Sequence, residues 1–533
     1  MERWNPRQEL SKREQGLMQR LGRTRKLFAF LRAHRHELFD ETFQTELAAV
    51  YREGGAGRDP IPPALLAMAV LLQGYVGASD AEAVELNVVD LRWQLVLGRL
   101  GATAPAFSQG ALQGFRERLM RTGMDERLLA RTVALARETG AFDPTKLPKT
   151  LRVAIDSAPL EGAGRVEDTV NLIAHAARKV VECVAVLLER HPDQVCRAAG
   201  IPLLLDTSVK KALDVEWSDP PQKTAALNRL VEQVASLQRW IERQLAAAQR
   251  QPPLQEHVET LAQVLGQDLE PDPTGGVRIR EGVAEDRRVS VEDAEMRHGR
   301  KSKTKRFNGY KRHLATDLDS DLILAAAITP ANRPEEEAVP ALQADLARQG
   351  LVLGELHIDR AYINSPVVDA VLGIGGAVRC KPWVPRARRP GAFTKTAFTI
   401  NARAMTLTCP AGETERFRPG QVVEFDPEAC GRCAQRARCT MAAPGTGRTV
   451  TMAANELLQV RLRREMATPC GRARLRERVA VEHRLAHLVR RQGRRARYRG
   501  VRKNTFDVRR AAALQNLETI QRTAPPGTMA AAA

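Results

Sequence analysis

Three carboxylates in this chain sit where their types and positions suggest shared chemistry. Asp156 falls late in a period-two run, LRVAIDSAP from Leu151 to Pro159, in which Val153 and Ile155 alternate with Ala154 and Asp156 before the pattern breaks at Ser157. Asp359 closes a second strand-like run, LVLGELHIDRAY. Strand ends beside turns are where α/β sheets present functional groups, although a strand-end Asp also serves as an ordinary turn or cap residue. Glu482 lies in LRERVAVEHRLAHLVRR, seven residues after Leu475 and seven before Val489, within a helical stripe that includes Val479, Leu485 and Ala486. A carboxylate on a buried helix face needs a compensating cation. Arg478, one turn earlier, supplies one and would leave Glu482 purely structural. The alternative is Mg²⁺ or Mn²⁺ held jointly by Asp156, Asp359 and Glu482, because three converging carboxylates repel one another unless neutralised. Such an all-oxygen site suits phosphoryl chemistry.

A second set is made of sulfur. Cys409, Cys430, Cys433 and Cys439 form C-x20-C-x2-C-x5-C, with Pro410, Gly412 and Gly431 permitting tight knuckles. The spacing fits a four-thiolate Zn²⁺ site, with unligated thiols or a redox pair as the alternative. Cys183, Cys196, Cys380 and Cys470 lack such spacing and read as buried thiols. Asp317, Asp319 and Asp321 imitate the start of a calcium loop, but Leu322 and Ile328 stand where Gly and Glu are required, so a hairpin turn is the better reading. No G-x-x-x-x-G-K-[ST] motif occurs, and no nucleotide cofactor is expected.

The elements that would position these groups are legible in outline. Residues 1–145 read as an all-helical N-terminal domain, a pattern shared by bundles that bind DNA, dimerise or merely brace a neighbour: Pro62 and Pro63 open an apolar helix, Ser79 and Glu82 have capping-box spacing, and Gly140 follows an amphipathic run. Residues 150–390 follow an α/β order with a mixed sheet, interrupted by a helical insertion at about 165–285. The segment FNGYKRHLATD, a turn, and LILAAAITPAN predict a hairpin. Residues 395–450 hold the four cysteines. Residues 455–520 complete the core with one long basic helix from about Arg472 to Arg491, and 521–533 read as a disordered tail.

Charge narrows the partner. The chain has 533 residues and a formal net charge of +19, yet residues 461–510 alone carry 18 Lys+Arg against 4 Asp+Glu, and Arg297–Arg312 adds eight cations with no acid. Two concentrated basic patches on an otherwise balanced chain favour a polyanion, and nucleic acid over a small phosphate. With only five Trp, five Tyr and thirteen Phe, stacking on single strands is disfavoured and duplex backbone contact expected. The longest apolar run, Ala64–Leu72, is far short of a bilayer span, and the charged start MERWNPRQELSKREQG has no signal core, so a cytoplasmic protein is expected.

Taken in order, the blocks VAIDSAPLEGAGRVEDTVNLI, DAEMRHGRKSKTKRFNGYKRHLATD, ITPANRPEE and HIDRAY, with the N-terminal stretch from FDETF to WQLVLG, resemble the successive motifs of bacterial insertion-sequence transposases with an RNase H-like DDE catalytic domain. The group resembled carries its glutamate in a Tyr-x2-Arg-x3-Glu-x6-Lys signature, which reads here Leu475, Arg478, Glu482 and Val489, with Arg490 adjacent as a substitute cation. The resemblance covers most of residues 30–515. It implies an α/β RNase H-like catalytic core with a helical insertion and a small, four-cysteine, zinc-ribbon-like insertion. It also implies a DNA-associated enzyme that binds terminal inverted repeats, cuts at the ends and joins them to target DNA, working as a homodimer on double-stranded DNA with no membrane partner. Asp156, Asp359 and Glu482 would hold two Mg²⁺ or Mn²⁺ ions. Phosphate contacts are expected from His298, Arg300, Lys301, Lys303, Lys305 and Arg306, from Arg478, and from Arg494, Arg495 and Arg497 in the C-terminal patch. A nuclease that cuts without joining, or an inactive DNA-binding regulator, are the alternatives.

Overall fold

The computed structural model describes residues 2–51, 60–143, 151–387 and 389–523. At its centre is a mixed six-stranded sheet: β1 (Leu151–Glu161), β2 (Arg297–Arg300), β3 (Arg306–Asp317), β4 (Ile323–Pro330), β5 (Leu353–Ile358) and β6 (Ala377–Arg379). β3 runs antiparallel to β1, while β2 and β4 share its other edge; β5 lies parallel to β1 on the opposite side, with β6 parallel beyond it. This mixed order is compatible with an RNase H-like core. The predicted hairpin is β3–β4, and Asp317 closes its turn by accepting from the Ser320 amide at 2.7 Å.

β1 is longer than its alternation predicts. It runs through Ser157 and Pro159 to Glu161 because β3 pairs with it along that whole length, whereas its pairing with β5 stops at Ile155. Asp156 is therefore mid-strand, at the point where one edge of β1 opens. Gly309, with φ 148°, is required for the close approach at the far end: a Cβ there would stand 2.3 Å from the Leu160 carbonyl.

The N-terminal helices include α1 (Lys26–Ala33) and α2 (Pro63–Val76). α2 begins at Pro63 as the Pro pair predicts, and the Ser79–Glu82 capping box is present on the next helix. These helices do not have a core of their own. One buried apolar cluster runs from Phe28, Leu66 and Trp93 through Val153, Ile155 and Leu356 to Leu514 and Leu517. The last helix joins the two halves; its Arg509 bridges Asp125 at 3.1 Å and Asp345 at 2.7 Å, and its Asn516 exchanges hydrogen bonds with the Ile323 backbone at 2.8 Å.

The insertion packs its helices, among them α3 (Thr169–Leu187), around a separate apolar cluster. α4 (Val339–Arg348) covers the sheet. A third small cluster, Phe398, Leu407, Phe417, Val423, Phe425, Val450 and Met452, underlies the cysteines. The predicted long basic helix is two helices, Pro469–Glu477 and α5 (Val479–Gln492), which meet at Arg478. α6 (Val501–Thr523) continues past residue 520, so 521–523 are helical; the rest of the predicted tail lies outside the described residues. Among the described residues no single helix is long and apolar enough to cross a membrane.

Candidate active site

The last β1–β5 pair is Ile155 with Ile358, so the next residue on each parallel strand is an aspartate. Neighbouring strands lie about 4.8 Å apart, which places Asp156 and Asp359 side by side at the open edge. Asp359 then caps the short turn Arg360–Tyr362 and accepts from the Arg360 amide at 2.7 Å. That turn is held from below: the buried His313 imidazole contacts the Tyr362 hydroxyl at 2.8 Å and Thr329 Oγ1 at 2.9 Å. Burial holds the imidazole down at about 3, so it stays neutral and serves as a rigid spacer.

Glu482 reaches the same place from the first turn of α5. Arg478 donates through Nη1 to Asp156 Oδ2 at 2.6 Å and through Nη2 to Glu482 Oε1 at 2.8 Å. Glu482 is not on the packed face, contrary to the apolar stripe. The packed face is Val481, Leu485, Leu488 and Gln492, whereas Val479 and Glu482 are exposed; the stripe that Glu482 shares with Leu485, Ala486 and Val489 faces a cavity. The residues between the packed face and solvent form a cavity wall instead. Asp156 is the more enclosed carboxylate, its side chain 15% exposed against 50% for Glu482. Burial raises its affinity for a proton; Arg478 opposes that, and Glu482 adds to it.

Asp156, Asp359, Glu482 and Arg478 line one cavity of about 810 Å³, together with Glu335, Lys311, Arg300, Lys301, Arg490 and Arg494. Glu335 was not singled out from the sequence, although ITPANRPEE contains it; it accepts from Ser157 Oγ at 2.8 Å, beside Asp156. Arg494 reaches the rim because the chain after α5 pairs with the end of β1, the Glu161 amide donating to the Arg494 carbonyl at 2.9 Å. Buried Arg312 fixes this joint by donating to Gln492 Oε1 at 2.9 Å and to the carbonyls of Pro159 and Gly493 at 3.0 Å.

The other predicted phosphate contacts lie elsewhere. His298 is tied to Asn308 and to Arg287. Lys303, Lys305 and Arg306 are exposed around the β2–β3 turn but outside the cavity, Arg495 donates to the Gly162 and Ala163 carbonyls, and Arg497 lies beside Gly77. Much of the C-terminal basic patch is also engaged internally: Arg484 with Asp321, Arg491 with Glu518, Arg499 with Glu292, Arg502 with Asp125 and Arg510 with Asp507.

As a test of fit for a divalent cation, the donor chemistry is right: the hard carboxylate oxygens of Asp156, Asp359 and Glu482 line one cavity, in which the Arg478 guanidinium bridges two of them, although the three are not drawn within 4.8 Å of one another. Among the described residues, three ligand-bearing side chains whose ligand atoms stand within 4.8 Å of one another are Glu355, His357 and Glu477. Arg152 and Arg379 already neutralise that group, Arg379 at 3.5 Å from Glu355 and Arg152 in contact with Glu477.

All four cysteines of the second set line another cavity, of about 470 Å³. Backbone amides point at two of the sulfurs, Arg448 N at Cys430 Sγ and Gln435 N at Cys433 Sγ, both at 3.4 Å. The thiol donors are of the type a zinc ion takes, although no three of the sulfurs stand within 4.8 Å of one another. Of the other cysteines, Cys196 and Cys380 are buried, Cys183 is half-buried and Cys470 is exposed, against the expectation for all four.

Two family models match this sequence. Residues 401–521 match one described as "Transposase DDE domain", and residues 23–118 match one described as "Transposase domain (DUF772)". The first includes Arg478, Glu482 and the four cysteines; neither includes Asp156 or Asp359. No curated protein and no solved structure matches.

Proposed function

We propose that this chain, which its two family matches indicate to be an insertion-sequence transposase with a DDE domain, binds the terminal inverted repeats of its element, cleaves the DNA at the ends and transfers the cut strands to target DNA. The observation that carries this reading is the one cavity that Asp156, Asp359 and Glu482 all line, bordered by Arg300, Lys301 and Arg494. Asp156, Asp359 and Glu482 would hold Mg²⁺ or Mn²⁺. Bound there, the two ions supply activation of a water or 3′-hydroxyl nucleophile and stabilisation of the leaving 3′-oxygen. Arg478 keeps Asp156 and Glu482 converged, and Arg300, Lys301 and Arg494 place positive charge where the scissile strand's phosphates would lie. His313 and Tyr362 hold the turn that presents Asp359. Zn²⁺ held by Cys409, Cys430, Cys433 and Cys439 would brace the small sheet beside them without touching the reaction. Because two ends must meet, the working unit is a homodimer.

The test is incubation of the purified chain with labelled DNA from the flanks of its gene and Mn²⁺. The reading expects nicks leaving a 3′-hydroxyl and joined products. Nicks without joined products would favour a nuclease. Neither product from DNA that the chain binds would overturn the reading.

A further inference from the structure

A second basic cavity, of about 670 Å³, lies across α5 from the carboxylates and is walled by the N-terminal helices, α5 and α6. Six arginines reach it: Arg25, Arg92, Arg484, Arg490, Arg491 and Arg522. Three of them are neutralised within the fold, Arg92 by Asp90, Arg484 by Asp321 and Arg491 by Glu518. Among the described residues Glu518 is the only carboxylate on the wall, and that pair engages it. Arg25, Arg490 and Arg522 make no ion pair among the described residues, and all three are exposed; Arg522 donates to the Glu518 carbonyl at 3.2 Å and to Thr519 Oγ1 at 3.3 Å, neutral partners that leave its charge uncompensated. They come from three separate segments: the joint before α1, the last turn of α5 and the last turn of α6. His487 stands among them, and the fields of Arg490, Arg484 and Arg522 add to burial in disfavouring its protonated form.

Arg490 lines this cavity and the carboxylate cavity alike. The two are therefore consecutive stretches of one positive surface, with α5 as the ridge between them. A small phosphate ligand would need its cations converged on a point; here they are strung out from the reaction cavity to the N-terminal helices. Arginines in a last helical turn also complement the helix dipole, which explains Arg490 and Arg522 in part but leaves Arg25 unexplained.

Building on the transposase reading, we infer that this groove is a duplex-DNA backbone track, in which Arg25, Arg490 and Arg522 grip the phosphates of DNA leaving the carboxylate cavity toward the N-terminal helices. The test measures binding of a 30-base-pair duplex without element sequence, in EDTA, across a series of salt concentrations. The parental slope of log K against log salt should fall in magnitude by about 1.8 in the Arg25→Ala, Arg522→Ala variant, about 0.9 for each phosphate no longer neutralised. Arg25→Lys, Arg522→Lys should keep the parental slope, since charge rather than shape is being read. An unchanged slope in the alanine variant, with or without a loss of thermal stability, would overturn the track while leaving the transposase reading standing. A lysine variant as deficient as the alanine one would overturn it too. A parental chain that binds no duplex would remove both.

Discussion

Replacing Arg478 tests how the carboxylates are held. Its guanidinium bonds Asp156 Oδ2 at 2.6 Å and Glu482 Oε1 at 2.8 Å, oxygens that a divalent ion in the same cavity would also draw on. The arm to Asp156 is sheltered, with the two side chains 15% and 21% exposed, and a hydrogen bond between charged groups in such a place nets about 1.5–3 kcal/mol. The arm to the half-exposed Glu482 adds at most about 0.2–1 kcal/mol. Arg478→Gln removes both. The metal-free protein should lose about 2–3 kcal/mol of stability, read by denaturant unfolding in EDTA. The competition for the oxygens disappears with it, so Mn²⁺ should bind about tenfold more tightly, equivalent to about 1.4 kcal/mol, read from free Mn²⁺ by electron paramagnetic resonance. Unchanged or weaker Mn²⁺ binding would refute the competition and make Arg478 a partner of the metal-bound state instead.

Glu482→Gln should abolish metal-dependent cleavage while folding and DNA binding persist, whereas Glu477→Gln, which loses a contact to Arg152 outside the cavity, should leave cleavage near parental; cleavage assays in Mg²⁺ on both variants check this. Elemental analysis of protein purified without added metal should find one zinc per chain, and none in a Cys430→Ser, Cys433→Ser variant. Replacing Arg494, Arg495 and Arg497 together by Ala should flatten the salt dependence of DNA binding by about 2.7, about 0.9 for each charge removed; a titration over salt checks this, and an unchanged slope would place the DNA elsewhere.

The parts of this architecture written in local sequence are legible from the sequence alone. The β3–β4 hairpin, the start of α2 at Pro63 and the capping box at Ser79 each follow from residues a few positions apart. What depends on distant pairing is not. β1 looked short because its alternation stops at Ser157, yet the partner that extends it, β3, arrives after an insertion of more than a hundred residues. The helix break at Arg478 has no Pro or Gly to announce it, and the apolar stripe that holds Glu482 with Leu485, Ala486 and Val489 reads as packing toward the sheet when it faces a cavity. Asp156, Asp359 and Glu482 were named from strand ends and a resemblance, and the fold places them along one cavity. Glu335, His313 and Tyr362 were passed over because their roles arise from neighbours far away in the chain. The basic patches overstated the free charge for the same reason: carboxylates distant in sequence neutralise Arg484, Arg499 and Arg502.

The claim on which everything else depends is where a divalent ion sits. Iron(II) in place of Mg²⁺, with ascorbate and peroxide, cuts a polypeptide next to the bound ion, and the fragments can be mapped by mass spectrometry. The account predicts cuts beside Asp156, Asp359 and Glu482 together, suppressed by excess Mg²⁺ and absent from Glu482→Gln. Cuts confined to Glu355, His357 and Glu477, or to the four cysteines, would contradict it.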